Sequence, residues 1–405
     1  MAKFPLKTPL RPTVTVRSAE SAELVEAEST EDAAANSGVT ARYLFWRAIF
    51  WLMVAFGIQT LASLMPDVIE EVYSQTVYYH LVRWMAVFNQ LTSIPLGELL
   101  IAGIVIWYVG WTIWYLGRAL RREVNVVEVF KILLLQWAAL LTWGFAVFLL
   151  MWGLNYQRTP IEDRMPEMER LAEGREEIRS VGERIVNGIN RNYTSRDGQT
   201  ATGASFMPLS TPVLFQAIEK GFQMEKMLGK ASQGGFGNPK PLIFSRVTTW
   251  LDIRGLYMPF TGEALYNDTV PDCDKPFVIA HVKAHQRGFA REDEANFIAY
   301  VVCLNSSEPY IRYSGYLHGL KVLDFLEKSD AQPAAGLKSL LIPPALDDLS
   351  ARNAYWSKSK SPTAGTASDA LIKIYLRANR VRGGLKNFSE DTPLIVNYML
   401  RNPDR

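Results

Sequence analysis

Phe277-Val-Ile-Ala-His281-Val-Lys-Ala-His285-Gln-Arg-Gly288-Phe-Ala-Arg-Glu292-Asp-Glu294-Ala-Asn296-Phe-Ile-Ala-Tyr300 decides how the C-terminal part of this chain is read. It reads as a helix, a glycine turn and a second helix. The chain has only four histidines, and two of them stand four residues apart here. Positions i and i+4 share a helix face, so both imidazoles can reach one metal ion. That is the geometry of the H-E-x-x-H zinc motif. Gly288 can end the first helix in a left-handed conformation and turn the chain back. The returning chain offers Glu292 or Glu294 as third ligand, with Glu292 favoured because Glu292 and Asn296 then lie one helical turn apart. An Asn so placed supports a ligand histidine from behind. The expected cofactor is Zn2+, which takes three protein ligands and leaves a fourth position open.

One position departs from the motif. Val282 stands where H-E-x-x-H has its glutamate, the general base of the peptidases built on it. A valine accepts no proton, and general acid–base catalysis typically contributes about 10²–10⁴-fold. Lys283 points to another helix face. Glu294 or Glu263 could serve as base from elsewhere. Glu263 lies in Gly255-Leu-Tyr257-Met-Pro259-Phe260-Thr261-Gly262-Glu263-Ala-Leu-Tyr-Asn267, read as a strand running into a turn. A strand edge beside a metal can hold an extended peptide by strand addition. Glu263 then either faces that cleft or caps the local backbone. His318 either reaches the site or is a satisfied structural histidine, and His80 is assigned no role.

Outward from this stretch, the apolar residues and most of the 11 Trp crowd into the first 155 of 405 positions. Runs at about 43–65, 99–117 and 132–153 each approach the roughly 20 residues that cross a ~30 Å hydrocarbon core. Trp and Tyr near their ends suit the interface, and Arg47 can snorkel. Residues 42–153 are thus expected to form a membrane region, preceded by a disordered tail over 1–41 that does not resemble a signal peptide. Arg118, Arg121, Arg122 and Lys131 place the second loop and the N-terminus in the cytoplasm. Everything from 154 to 405 is then extracytoplasmic. Residues 72–88 are read as an amphipathic helix lying on the outer interface.

In that domain 161–192 is expected as one or two charged helices, 194–207 as a loop and 208–228 as a helix. Pro241 to Tyr257, holding the run LIFSRVTTWLDIRGLY, is read as strand and turn. Further helices are expected near 308–328, 345–357, 368–378 and 390–401. A balance of 43 basic and 41 acidic residues gives no basic surface for nucleic acid. Cys273 and Cys303 form no C-x-x-C pair; they are either one disulfide or two separate thiols. Neither composition nor spacing sets the oligomeric state.

The stretch from Gly255 to about Tyr316 resembles an uncharacterised bacterial family of membrane proteins with a domain of unknown function. Its members carry H-E-x-x-H-Q-x-G-F-A-x-E-D-E-A-N and, upstream, P-F-T-G-E-A. The matching text is Pro259 to Ala264 and His281 to Asn296, with Ile94-Pro-Leu-Gly-Glu98, Trp152-Gly-Leu-Asn-Tyr156 and Tyr375-Leu-Arg-Ala-Asn379 elsewhere. The resemblance implies a mainly α protein. Three N-terminal transmembrane helices precede a mostly helical zincin-like domain with a small β element, in the bacterial inner membrane. It implies a zinc metallopeptidase with His281, His285 and a residue of the acidic helix as ligands and a peptide or protein substrate. Val282 breaks the pattern, leaving as the alternative a catalytically inactive zinc-binding pseudopeptidase with a binding or regulatory role.

Overall fold

The computed structural model describes residues 19–164, 174–194, 204–328, 331–359, 361–381 and 391–405. Helix α1 (Ala19–Ser63) carries the first apolar span, Val39–Ser63. It begins inside the stretch expected as a tail, whose Ala and Glu are strong helix formers. After α2 (Pro66–Val68), a π-helical segment (Ile69–Tyr78) and α3 (Tyr79–Asn89) come α4 (Leu96–Leu120) and α5 (Val126–Met151). The span in α1, together with α4 and α5, is long and apolar enough to cross a membrane, and the chain is a multi-pass membrane protein.

Two compact units divide the chain, Met1–Met53 with Val105–Gly144, and Val54–Ile104 with Phe145–Arg405. In the first, Leu44, Ala48, Tyr115, Val129 and Ile132 pack together. The second holds all the chemistry described below.

Within the second unit, the segment expected to lie on the interface at 72–88 packs along one face. Tyr78, Val82 and Met85 are buried, and the Tyr78 hydroxyl donates to the Gln286 carbonyl at 2.8 Å. Its other face leaves Val72, Trp84 and Phe88 exposed.

A 3-10 turn (Gly153–Gln157) leads from α5 to α6 (Ile161–Arg164), α7 (Arg175–Asn192) and α8 (Thr211–Met224). The expected charged helices thus survive as α6 and α7, while most of the 194–207 loop lies outside the described residues. A 3-10 segment (Lys226–Ser232), β1 (Lys240–Pro241), α9 (Ser245–Trp250), β2 (Gly255–Met258) and β3 (Glu263–Tyr266) follow. The sheet order is β1-β3-β2, with β1 parallel and β2 antiparallel to β3. The reading of Pro241 to Tyr257 as strand and turn holds only at its two ends, in β1 and β2, because α9 interrupts it. Glu98, 145 residues upstream of Ile243, accepts from the amides of Ile243 and Phe244 and so fixes the chain just before that short helix.

The remaining helices are α10 (Lys275–Gln286), α11 (Glu292–Leu304), α12 (Pro309–Gly319), α13 (Lys321–Glu327), α14 (Ala331–Lys338), α15 (Pro343–Ser359), α16 (Pro362–Ala378) and α17 (Thr392–Arg401). The protein is mainly helical with one small sheet. Helices α10 and α11 run through the centre of a core that includes Ile279, Phe297, Val301, Tyr313 and Ile395. Cys273 and Cys303 are free and buried, which decides for two separate thiols.

Candidate metal centre

Helix α10 opens with Pro276 in its first turn, where a missing amide hydrogen costs nothing. It closes on a glycine. The Gly288 amide donates to the His285 carbonyl at 2.9 Å and the Phe289 amide to the Ala284 carbonyl at 3.2 Å. Gly288 has φ +85°, and a Cβ there would lie 3.0 Å from both Asn155 Oδ1 and Tyr78 Cε1. This paired-bond cap needs glycine twice over, for the backbone angle and for the space. It turns the chain so that α11 starts at Glu292, back beside α10.

Three side chains converge as a result. His281 Nε2 and His285 Nε2 lie 3.0 Å apart. Glu292 Oε2 is 3.3 Å from His281 Nε2, and its Oε1 is 3.5 Å from His285 Nε2. This group of His281, His285 and Glu292 could hold a metal ion. The carboxylate of Glu294 is elsewhere: it accepts from the Ile161 amide at 2.9 Å and faces Arg291. Glu292, not Glu294, is therefore the third member.

The histidines are held in register. His285 Nδ1 meets the Phe289 carbonyl at 2.8 Å, and because a carbonyl only accepts, Nδ1 is the donor. Asn296 interacts with His281 and pulls that ring upward, while His281 Nδ1 is buried with no hydrogen-bond partner among the described residues. Burial pushes His281 below the ordinary imidazole value, and the neighbouring His285 adds to that. For His285 burial pulls the same way, yet Glu292 outweighs it and holds that ring above its ordinary value. Burial would raise Glu292, but His285 and His281 hold its carboxyl well below the usual range.

The other expected residues stand apart. Glu263 is buried and fully committed: it accepts from the amides of Leu96 and Gly97 at 3.0 and 2.7 Å, from Lys240 Nζ at 2.7 Å and from the Thr261 hydroxyl. It is no base for the site; it caps α4. Lys283 points away from the histidines, to the Gly237 carbonyl and Glu219, and burial brings its ammonium down to about 8. His318 is a satisfied histidine. Its Nε2 bonds Asp391 at 3.0 Å, its ring stacks on Phe277, and burial pushes it down to about 3. Val282 is fully buried against the hairpin, where a Cβ on Gly255 would come 2.6 Å from its Cγ1.

Residues assigned no role from sequence also surround the group. Trp152 Nε1 donates to the His285 carbonyl at 3.0 Å. Tyr156 donates to Tyr375 at 3.1 Å; burial lifts both hydroxyls above their ordinary value, and the Glu292 charge adds to the rise. Arg158 binds the Gly288 carbonyl at 2.7 Å and Glu70 at 2.7 and 2.8 Å, clamping the turn between α10 and α11. Trp152, Tyr156 and Tyr375 lie in segments that carry the family resemblance, and that was the available signal.

A family model described as "Protein of unknown function (DUF3810)" matches residues 73–396. No curated protein and no solved structure matches the chain.

Proposed function

The chain belongs to this DUF3810 family, and from that premise we propose that it is a membrane-anchored zinc-binding protein whose peptidase-type centre binds a peptide or protein without cleaving it. The observation that carries the reading is the convergence of donor atoms: His281 Nε2 lies 3.0 Å from His285 Nε2 and 3.3 Å from Glu292 Oε2, and His285 Nε2 lies 3.5 Å from Glu292 Oε1. Zinc bonds of about 2.0–2.1 Å in tetrahedral geometry require ligand atoms roughly 3.3 Å apart. Two imidazoles and one carboxylate are a common zinc donor set, and bound zinc would supply a Lewis acid with one position left for an oxygen ligand. His285 and His281 would hold it through Nε2, Asn296 and the Phe289 carbonyl would orient them, and Glu292 would balance charge.

The absence of cleavage rests on Val282. Among the described residues, no carboxylate other than Glu292 joins the group. Glu263 and Glu294, the two possible substitutes, are bound elsewhere. We place the protein in a bacterial cytoplasmic membrane, with Arg118, Arg121, Arg122 and Lys131 inside and the centre outside, because basic loops are retained on the cytoplasmic side.

A hydrolytic reading has one observation in its favour. The Tyr156–Tyr375 hydroxyl pair feels the Glu292 charge and would offer a polar group to a bound carbonyl. One experiment separates the two. Metal content of the purified full chain is measured beside that of His281→Ala, and a peptide library is offered to both. One zinc per chain, lost in the variant, with no cleavage, is expected. Cleavage abolished by a chelator would overturn the non-hydrolytic reading. Equal, near-zero zinc in both proteins would overturn the metal centre itself.

A further inference from the structure

Helix α9 is built inside out. Its inward residues are hydroxylic: Ser245, Thr248 and Thr249 are buried, and their hydroxyls are hydrogen-bonded to the Leu242 and Ser245 carbonyls. Outward it shows Val247 and Trp250 beside the exposed Arg246, with Ile243 and Phe244 just before it, these four apolar residues each 51–54% exposed. A helix facing water shows the opposite pattern. Helix α16 adds a second apolar surface, with Leu371 67% and Ile374 65% exposed. Lys373 and Arg377 of the same helix are exposed as well. Apolar residues flanked by basic ones are the composition of helices that lie in a membrane interface.

Both surfaces are tied to the ends of membrane-spanning helices. Glu98, in the first turn of α4, holds the start of α9 through the amides of Ile243 and Phe244. Arg380, just past α16, bonds Ser63 and Thr60 at the end of α1. Tyr375 of α16 packs on Phe148 near the end of α5. Three consecutive spans alternate in direction, so the end of α1, the start of α4 and the end of α5 lie on one side of the bilayer. The two apolar surfaces are therefore fastened to the same membrane boundary.

We propose that the outer faces of α9 and α16 are a second bilayer contact, inserted in the interface of the leaflet on which the metal centre stands. Scattered apolar residues on a soluble surface need no partner. An inverted helix hung from a span does, because exposing it to water instead of lipid forfeits roughly 25 cal/mol for each Å² of apolar surface. Through Tyr375, which joins Tyr156 beside Glu292, the α16 contact also reaches the candidate centre. The centre then sits at headgroup level.

The test uses the full chain reconstituted in phosphatidylcholine–phosphatidylglycerol vesicles. Single fluorophores are attached at Ile243→Cys, Val247→Cys, Leu371→Cys and Ile374→Cys, two sites per helix so that one failed variant leaves another. Glu176→Cys on α7, where the native side chain is 85% exposed, is the aqueous control. Cys273 and Cys303 are buried and stay out of reach of the label. The expected result is strong quenching by bromine on the lipid chains and weak quenching by aqueous iodide at the four sites, with the reverse at the control. Iodide quenching at the four sites equal to that of the control overturns the proposal. Metal analysis of the same vesicles keeps the two ideas apart. An aqueous result with zinc present sinks only the bilayer contact, and a lipid result without zinc sinks only the zinc reading.

Discussion

The indole of Trp152, one residue beyond α5, donates a 3.0 Å hydrogen bond to the carbonyl of His285. The last span is thereby joined to the helix that carries both candidate histidine ligands. Trp152 is buried and packs on Tyr156, Tyr257 and His285. Two effects can be separated. Trp152→Phe removes the hydrogen bond and keeps much of the ring, for about 1 kcal/mol. Trp152→Ala also opens a cavity, for about 3–5 kcal/mol. Denaturant unfolding in detergent micelles measures both, and equal losses in the two variants would show that ring packing contributes nothing.

Asn296 stands one turn after Glu292 and interacts with His281. On the proposed reading it orients a ligand without supplying one. Removing such a partner typically weakens metal binding about 10–100-fold. Asn296→Ala is expected to bind zinc at one per chain at saturation, with the dissociation constant raised by that factor in a chelator competition. His281→Ala should instead lose the site at any zinc concentration. Identical behaviour of the two variants would place Asn296 in the donor set, beside His281, His285 and Glu292.

The turn after α10 is clamped by charge. Burial alone would raise the Glu70 carboxyl, but Arg158 and then Arg164 bring it down to about 2. A carboxylate held below its unfolded value stabilises the fold above that value and loses the contribution as it protonates. Stability from this cluster is therefore full above about pH 4.5 and falls away toward pH 2. Glu70→Gln should be less stable than the unaltered protein at pH 7, since breaking a buried pair costs about 3–5 kcal/mol. The difference should shrink between pH 4.5 and pH 2. A gap that stays constant over that window, read by thermal melts, would remove Glu70 from the acid response.

What could be read from sequence was local. His281, His285, Gly288, Glu292 and Asn296 fall within 16 residues, so helix periodicity and one glycine cap suffice to bring them together. The spans were legible from apolar run length, but their ends were not. Expected starts at 43, 99 and 132 became 39, 96 and 126, because α4 and α5 continue through Glu98, Glu128 and Lys131, where an apolar criterion stops. Errors arose wherever a distant group decides. The β-branched run around Val247 is helical, and Glu98 fixes the chain just before it through the amides of Ile243 and Phe244. Glu263 serves α4 because Lys240 and the α4 amides claim it. Neither partner is near in sequence, so no local pattern announces them.

Position 282 offers the sharpest functional test. Val282 is fully buried, packed where the hairpin comes closest to α10 at Gly255. Val282→Glu puts a carboxylate into that contact, and a destabilisation of about 3 kcal/mol is expected from burying a polar group there. The same carboxylate restores the motif's general base, beside His281 and one turn from His285. If the missing base alone silences the centre, chelator-sensitive peptide cleavage should rise by at least about 10²-fold over the unaltered protein. The double variant Val282→Glu, His281→Ala should lose that gain while keeping the stability loss. A folded, zinc-loaded Val282→Glu protein that cleaves nothing would show that the hairpin, and not the valine alone, keeps this centre from hydrolysis.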